Sequence, residues 1–163
     1  MRNVASHVQR ATRLNESMPR KAQQSDLTHE LFLALVRDAG LPEPRHKTHP
    51  DGELLFAKDS GIESIGSRAW RWDYSWLDAW PDIAPGLKLA VERDGGIWRG
   101  GRGGGKGRGG HSGGAGQLND MAKHNAGCLL GWRLLRYTPD QMASGLPIRQ
   151  IQELLRAESA RKS

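Results

Sequence analysis

Between Gly95 and Gly116 the chain places 13 glycines in 22 positions. Glycine loses more backbone freedom on folding than any other residue, so this run is expected to be a flexible loop between regular elements. The fold must be assembled from what lies on either side of it. The loop carries Arg99, Arg102, Lys106 and Arg108 and no acid. Residues 1–24 hold five basic side chains against one acidic, with Pro19 interrupting any helix, and are expected to form a flexible basic arm. The net charge is +6, so the rest of the chain sums to −2. A near-neutral body with two basic appendages suits contact with a phosphate backbone. Basic tails that only aid solubility are the alternative.

A chain of 163 residues suits one domain, expected here over residues 25–163. No apolar run approaches the roughly 18 to 20 residues that crossing a bilayer needs. The first residues lack the apolar core of a secretory signal. A single cysteine, Cys128, excludes an internal disulfide and a multi-cysteine zinc site. Together these predict a soluble protein of the cytoplasm, with no membrane partner.

The periodicity predicts a helix from Ser25 or Asp26 to Ala39, through Leu27, Leu31 and Leu35, stopped by Gly40 and Pro42. Glu30 lies on it. Pro42 to Ser67 is hard to read, with a short strand conceivable at Leu54-Leu55-Phe56. Ala69 to Trp76 alternates aromatic and polar residues, a strand pattern that would put Trp70, Trp72 and Trp76 on one face. These rings suit a core; stacking on bases is the other use. Leu87 to Glu92 reads as a buried strand. After the glycine loop come a helix over Gln117–Leu130, ended by Gly131, and a strand over Trp132–Tyr137. An amphipathic helix then covers Ile148–Ala160. The order describes an α/β domain, a small mixed central sheet flanked by helices.

Chemistry concentrates where Asp73, on one predicted strand, meets Glu92-Arg93-Asp94 on the next. Side chains alternate along a strand, so Glu92 and Asp94 share a face about 7 Å apart. Should the strands be neighbours, Asp73 converges on them. Three carboxylates at a strand end make an oxygen-only site suited to Mg²⁺ or Mn²⁺, ions that activate water and stabilise charge on a phosphodiester. The competing reading is of ordinary strand-end acids meeting Arg71 and Arg93. Cys128, on an apolar helix face, reads as core rather than nucleophile.

Trp70-Arg71-Trp72-Asp73-Tyr74, the stretch Leu89 to Trp98 containing Glu92-Arg93-Asp94, Asp120 to Asn125, and Gly131 to Tyr137 together resemble the PD-(D/E)xK nuclease superfamily. The nearest branch comprises small phage and bacterial endonucleases similar to very-short-patch-repair enzymes. The resemblance covers roughly Ser25 to Met142 and implies a restriction-endonuclease-like core. It implies a metal-dependent DNA endonuclease using Mg²⁺ or Mn²⁺, with Asp73 and Glu92 as metal-binding acids. Asp94 stands where the superfamily signature has lysine, a departure that suggests a further metal ligand. Lys123 then becomes the candidate for a migrated catalytic cation, a solvated helix lysine being the alternative. Glu30 resembles the first-helix glutamate that holds a second metal or its water. His111 matches a histidine that relatives often show after Gly-Arg, available to protonate a leaving oxygen or touch phosphate. Asn125 could bond backbone across the site or lie on the helix surface.

Two other classes stay open on sequence. The run Trp98 to Gly114 resembles Arg/Gly-rich segments that bind nucleic acid without chemistry. A catalytically inactive relative is the second, because the signature lysine is missing. The substrate could be duplex or branched DNA; a double cut would favour a homodimer and a single nick would not.

Overall fold

The computed structural model describes residues 20–48, 61–65, 70–94 and 114–161, with the side chains of 20–26 and 114–115 left aside. Within them the fold is α/β: a mixed four-stranded sheet accompanied by helices. Two compact units divide the chain, Met1–Pro44 with Pro139–Ser163, and Arg45–Thr138.

In the first unit, helix α1 runs over Arg20–Asp38 and so begins five residues before the boundary expected at Ser25. Its end follows the sequence. Gly40 takes φ +67°, which lets Gly40 N–H donate to Arg37 and Leu41 N–H donate to Val36, satisfying carbonyls that the last helical turn leaves open. Thr28, Phe32 and Val36 are its buried side chains, spaced four residues apart. Helix α3, Pro139–Ala143, buries Met142, and helix α4, Leu146–Ala160, buries Ile148, Ile151 and Leu155 at helical spacing. Helix α4 starts two residues before the expected Ile148 because Pro147 suits the first turn, where its missing N–H costs nothing.

The second unit contains the sheet. Strands β1 (Arg45–His46), β2 (Tyr74–Leu77), β3 (Lys88–Arg93) and β4 (Trp132–Tyr137) lie in that order, antiparallel at the first two pairings and parallel at the third. Strand β4 has the expected bounds, and β3 is shifted by one residue. Strand β2 is shorter than the Ala69–Trp76 alternation predicts. Asp73 explains the shortening: its N–H donates to the Glu92 carboxylate at 3.1 Å rather than to a strand carbonyl, which ends the β2–β3 ladder there. The β2–β3 connection is closed by Asp78 at φ +50°, whose carboxylate accepts from Gly86 N–H at 2.7 Å. Leu54-Leu55-Phe56 and Trp98 lie outside the described residues.

Helix α2, Gly114–Leu129, makes the crossover from β3 to β4, so its first residues occupy the end of the segment expected to be loop through Gly116. It lies on one side of the sheet, where Trp72, Ala90 and Trp132 form a buried cluster. Gly127 is the point of closest approach, since a Cβ there would lie 2.8 Å from two Trp72 ring carbons. Ala126 packs with Ile65, beside Ile62, Trp70 and Leu130. Leu118 and Met121, apolar residues at helical spacing, lie on its outer side, 67% and 58% exposed. Cys128 is exposed as well, against the expectation of a core position. Gly131 (φ +78°) ends the helix, and Lys88 Nζ donates to the Leu130 carbonyl at 3.1 Å, a cation where the helix dipole is negative.

The tryptophans do not share one face. Trp76 pairs in register with Leu89 and contacts Trp80 at 5.9 Å between ring centroids, whereas Trp72 packs with Ala90, the next residue along and hence on the opposite side. Trp72, Trp76, Trp80 and Trp132 are buried, so packing accounts for them. Among the described residues no helix is long and apolar enough to cross a membrane.

Candidate functional site

The register sets the site. Tyr74 opposes Val91 across the antiparallel β2–β3 pair, so the next positions outward, Asp73 and Glu92, face each other at the ladder's end with side chains on one face. Glu92 in turn pairs with Arg136 across the parallel β3–β4 ladder. On the far side, Lys47 N–H donates to the Asp73 carbonyl at 3.2 Å and extends the row by one strand. A line of ionisable residues, Lys47, Asp73, Glu92 and Arg136, therefore crosses the sheet end. Helix α2 adds Lys123 and His124 to it.

Backbone hydrogen bonds hold both central carboxylates. Arg93 N–H donates to Asp73 Oδ2 at 2.9 Å, and Asp73 N–H donates to Glu92 Oε1 at 3.1 Å. Each also carries a lysine. Lys47 Nζ lies 2.7 Å from Asp73 Oδ1, and Lys123 Nζ lies 2.6 Å from Glu92 Oε1. The two lysines differ in setting. Lys47 is 46% exposed, whereas Lys123 is 12% exposed and sits 4.8 Å from the centre of a Trp72 ring. Lys123 is thus no solvated helix lysine. Its aliphatic stem and the ring shield an ion pair that water would otherwise weaken.

These surroundings push the two carboxyls apart. Burial drives Asp73 up, but the Lys47 hydrogen bond and charge, with the Arg93 N–H, outweigh it and hold the group below its ordinary value. Burial also drives Glu92 up. There the Asp73 charge adds to it, and Lys123 offsets only part, so Glu92 ends above its ordinary value. Two adjacent carboxylates displaced in opposite directions are the usual consequence of sharing one site.

Asp94 is engaged separately. Arg136 Nη2 donates to Asp94 Oδ1 at 2.8 Å, while its Nη1 donates to His124 Nδ1 at 3.2 Å. A guanidinium can only donate, so Nδ1 accepts and neutral His124 carries its proton on Nε2. Burial, the Arg136 charge and Lys123 lower the His124 pKa, which favours the neutral ring. The three carboxylates expected to converge are thus found as a pair and a separately paired third. Among the described residues no group of three or more His, Cys, Asp or Glu side chains is arranged to hold a metal ion.

The competing reading, that these acids meet arginines, is half right. Each is paired, though Arg71 donates instead to the Lys47 carbonyl at 3.0 Å, and Arg93 meets Asp73 through its backbone. Lys47, His124 and Arg136 were missed. Arg136 had a signal, as one of two arginines, with Arg133, in a strand of otherwise apolar and aromatic residues; Lys47 had none, because β1 is two residues long. Glu30 lies on α1 in the other unit and is exposed, and Asn125 is exposed on α2. His111, Arg99, Arg102, Lys106 and Arg108 lie outside the described residues.

Chemically, Asp73 and Glu92 offer an oxygen-only donor pair at the ends of adjacent strands. Mg²⁺ is commonly held by one or two carboxylates, with waters and substrate oxygens filling its octahedron, so two suffice for it where a Ca²⁺ cage would need more. Comparison of the chain with protein-family models, with curated proteins and with solved structures yields no match.

Proposed function

We propose that this protein is a divalent-metal-dependent DNA endonuclease with a restriction-endonuclease-like core. One observation carries the reading: Asp73 and Glu92 face each other across adjacent strand ends, and Lys123 reaches Glu92 from the helix that follows. An acid pair with a shielded cation beside it is what hydrolysis of a phosphodiester asks of a protein. Order along the chain supports the reading too, with an acid-bearing strand, a second acid-bearing strand, a helix and a parallel strand.

Asp73 and Glu92 would hold Mg²⁺ or Mn²⁺, and that ion would supply acidity to water and positive charge to the reacting phosphate. The chain's own groups do the rest. Arg93 N–H and Asp73 N–H fix the carboxylates, so little reorganisation accompanies the reaction. Lys123 favours the ionised form of Glu92 against its burial and directs an ammonium toward charge developing on phosphate oxygens. Arg136 holds Asp94 and His124 at the rim, where Asp94 can accept a hydrogen bond from water. The cations Arg99, Arg102, Lys106 and Arg108 are proposed to neutralise backbone phosphates without reading bases. His111 is proposed, on sequence, as a proton donor.

The test is cleavage of labelled duplex, branched and single-stranded DNA with Mg²⁺, with Mn²⁺ and with chelator. Metal-dependent cutting supports the proposal. Tight binding of nucleic acid without cutting under any of these conditions supports the Arg/Gly-rich binding reading instead, which the composition of residues 95–116 favours.

A further inference from the structure

Lys47 has no part in the reading above, yet it makes the shortest contact to Asp73. Its Nζ stands 2.7 Å from Asp73 Oδ1, and nearly half of its side chain is in water. An ammonium at that place occupies the direction from which Asp73 Oδ1 would bind a cation. The other oxygen, Oδ2, already accepts the Arg93 N–H at 2.9 Å, so Oδ1 is the less encumbered donor once Lys47 leaves it. The backbone N–H of Lys47 is anchored to the Asp73 carbonyl, which keeps the side chain's root in place whichever way its tip turns. Four rotatable bonds and a solvated tip let the ammonium leave without disturbing the sheet.

We propose that Lys47 is a displaceable counter-ion of Asp73: it neutralises the carboxylate in the metal-free protein, and on metal binding it swings off and presents its ammonium to the substrate phosphate. The inference rests on the endonuclease reading and deepens it by naming a residue that contacts substrate. Lys123 differs by being shielded under Trp72, and it stays with Glu92. The pair thus divides the labour of two cations at one acid site, one fixed and one exchangeable.

Mn²⁺ titration followed by the electron paramagnetic resonance of the free ion tests this without reference to activity. Lys47→Met leaves Asp73 Oδ1 open and is expected to bind Mn²⁺ roughly 5-fold more tightly, the scale of a half-exposed ion pair. Lys47→Arg keeps the pairing and is expected to match the wild type. Both variants should retain the wild-type circular dichroism, since the side chain is largely outside the core. At saturating Mn²⁺, Lys47→Met is expected to cleave about 10-fold more slowly, the wild-type ammonium having served the phosphate. Equal Mn²⁺ affinity in wild type, Lys47→Met and Lys47→Arg, with binding lost in Asp73→Ala, overturns the counter-ion role and leaves the endonuclease reading standing. Faster cleavage by Lys47→Met overturns the phosphate contact. Absence of Mn²⁺ binding in wild type and Lys47→Met alike overturns both readings.

Discussion

Gly127→Ala is a perturbation of one methyl group whose sign separates two opposed effects. In a helix interior, replacing glycine by alanine stabilises by about 1 kcal/mol through backbone entropy alone. Here the new Cβ would lie 2.8 Å from Cη2 and Cζ2 of Trp72, far inside ordinary contact. The ring cannot yield easily. Trp72 is fully buried, it packs on Trp132 at 5.8 Å between centroids, and Lys123 lies over it. Forcing extra volume into a packed core costs about 1–3 kcal/mol, which exceeds the helix gain. We expect a net loss of about 1 kcal/mol, a fall in Tm of about 2–4 °C for a chain this size. Urea denaturation followed by circular dichroism measures it, with Asn125→Ala on the exposed side of the same helix as a control that should be neutral or slightly stabilising. Lys123 lies one turn before Gly127 on the same helix face, so lifting the helix should also loosen its contact with Glu92. A Gly127→Ala variant more stable than wild type by about 1 kcal/mol would refute the close approach of helix and ring.

Other expectations follow from the charges. Because Glu92 titrates above its ordinary value and Lys123 holds it down, DNA cleavage should rise with pH as Glu92 ionises, and Lys123→Met should move that acid limb to higher pH; a limb that stays put removes Lys123 from the site. Lys123→Met should also lose about 2 kcal/mol of stability at pH 8, the scale of a hydrogen bond to a charged group, measured by urea unfolding. His124 titrates below its ordinary value in the folded state, so the unfolded chain takes up its proton first. Stability should therefore be full above the ordinary histidine value and fall as pH drops from there toward the folded value. His124→Gln should lose less stability than wild type over that window, and an identical profile would show that His124 is not held neutral. Replacing Arg99, Arg102, Lys106 and Arg108 with Ser should weaken DNA binding about equally across sequences and flatten its salt dependence by up to about 3.6 units; an unaltered slope excludes them as phosphate contacts.

How much of this was legible beforehand depended on how local its cause was. The ends of α1 and α2 were readable because Gly40 and Gly131 enforce a left-handed turn whatever surrounds them. Strand β4 was readable because Trp132–Tyr137 lies between that turn and a proline. The facing of Asp73 and Glu92 followed from strand alternation once the two strands were taken as neighbours. What failed was set by tertiary context. Leu118 and Met121 have helical spacing, yet the sheet chose the side with Ala126 and Gly127, because small residues let the helix approach Trp72. Asp94 shares a strand face with Glu92, but Arg136 from the neighbouring strand claims it. Lys47 gave no sign at all, since nothing local distinguishes a lysine after a two-residue strand from any surface lysine.

The central claim is that Asp73 and Glu92 together hold the ion that cleavage requires. Single-turnover nicking of supercoiled plasmid, at saturating protein and with Mn²⁺ varied, addresses it in wild type, Asp73→Asn and Glu92→Gln. Both substitutions keep shape and remove a charged oxygen donor. The expected result is metal-dependent nicking by the wild type, abolished by chelator and reduced roughly 100-fold or more in each variant, with DNA binding retained. Undiminished nicking by both variants, or nicking that persists in chelator, would contradict it.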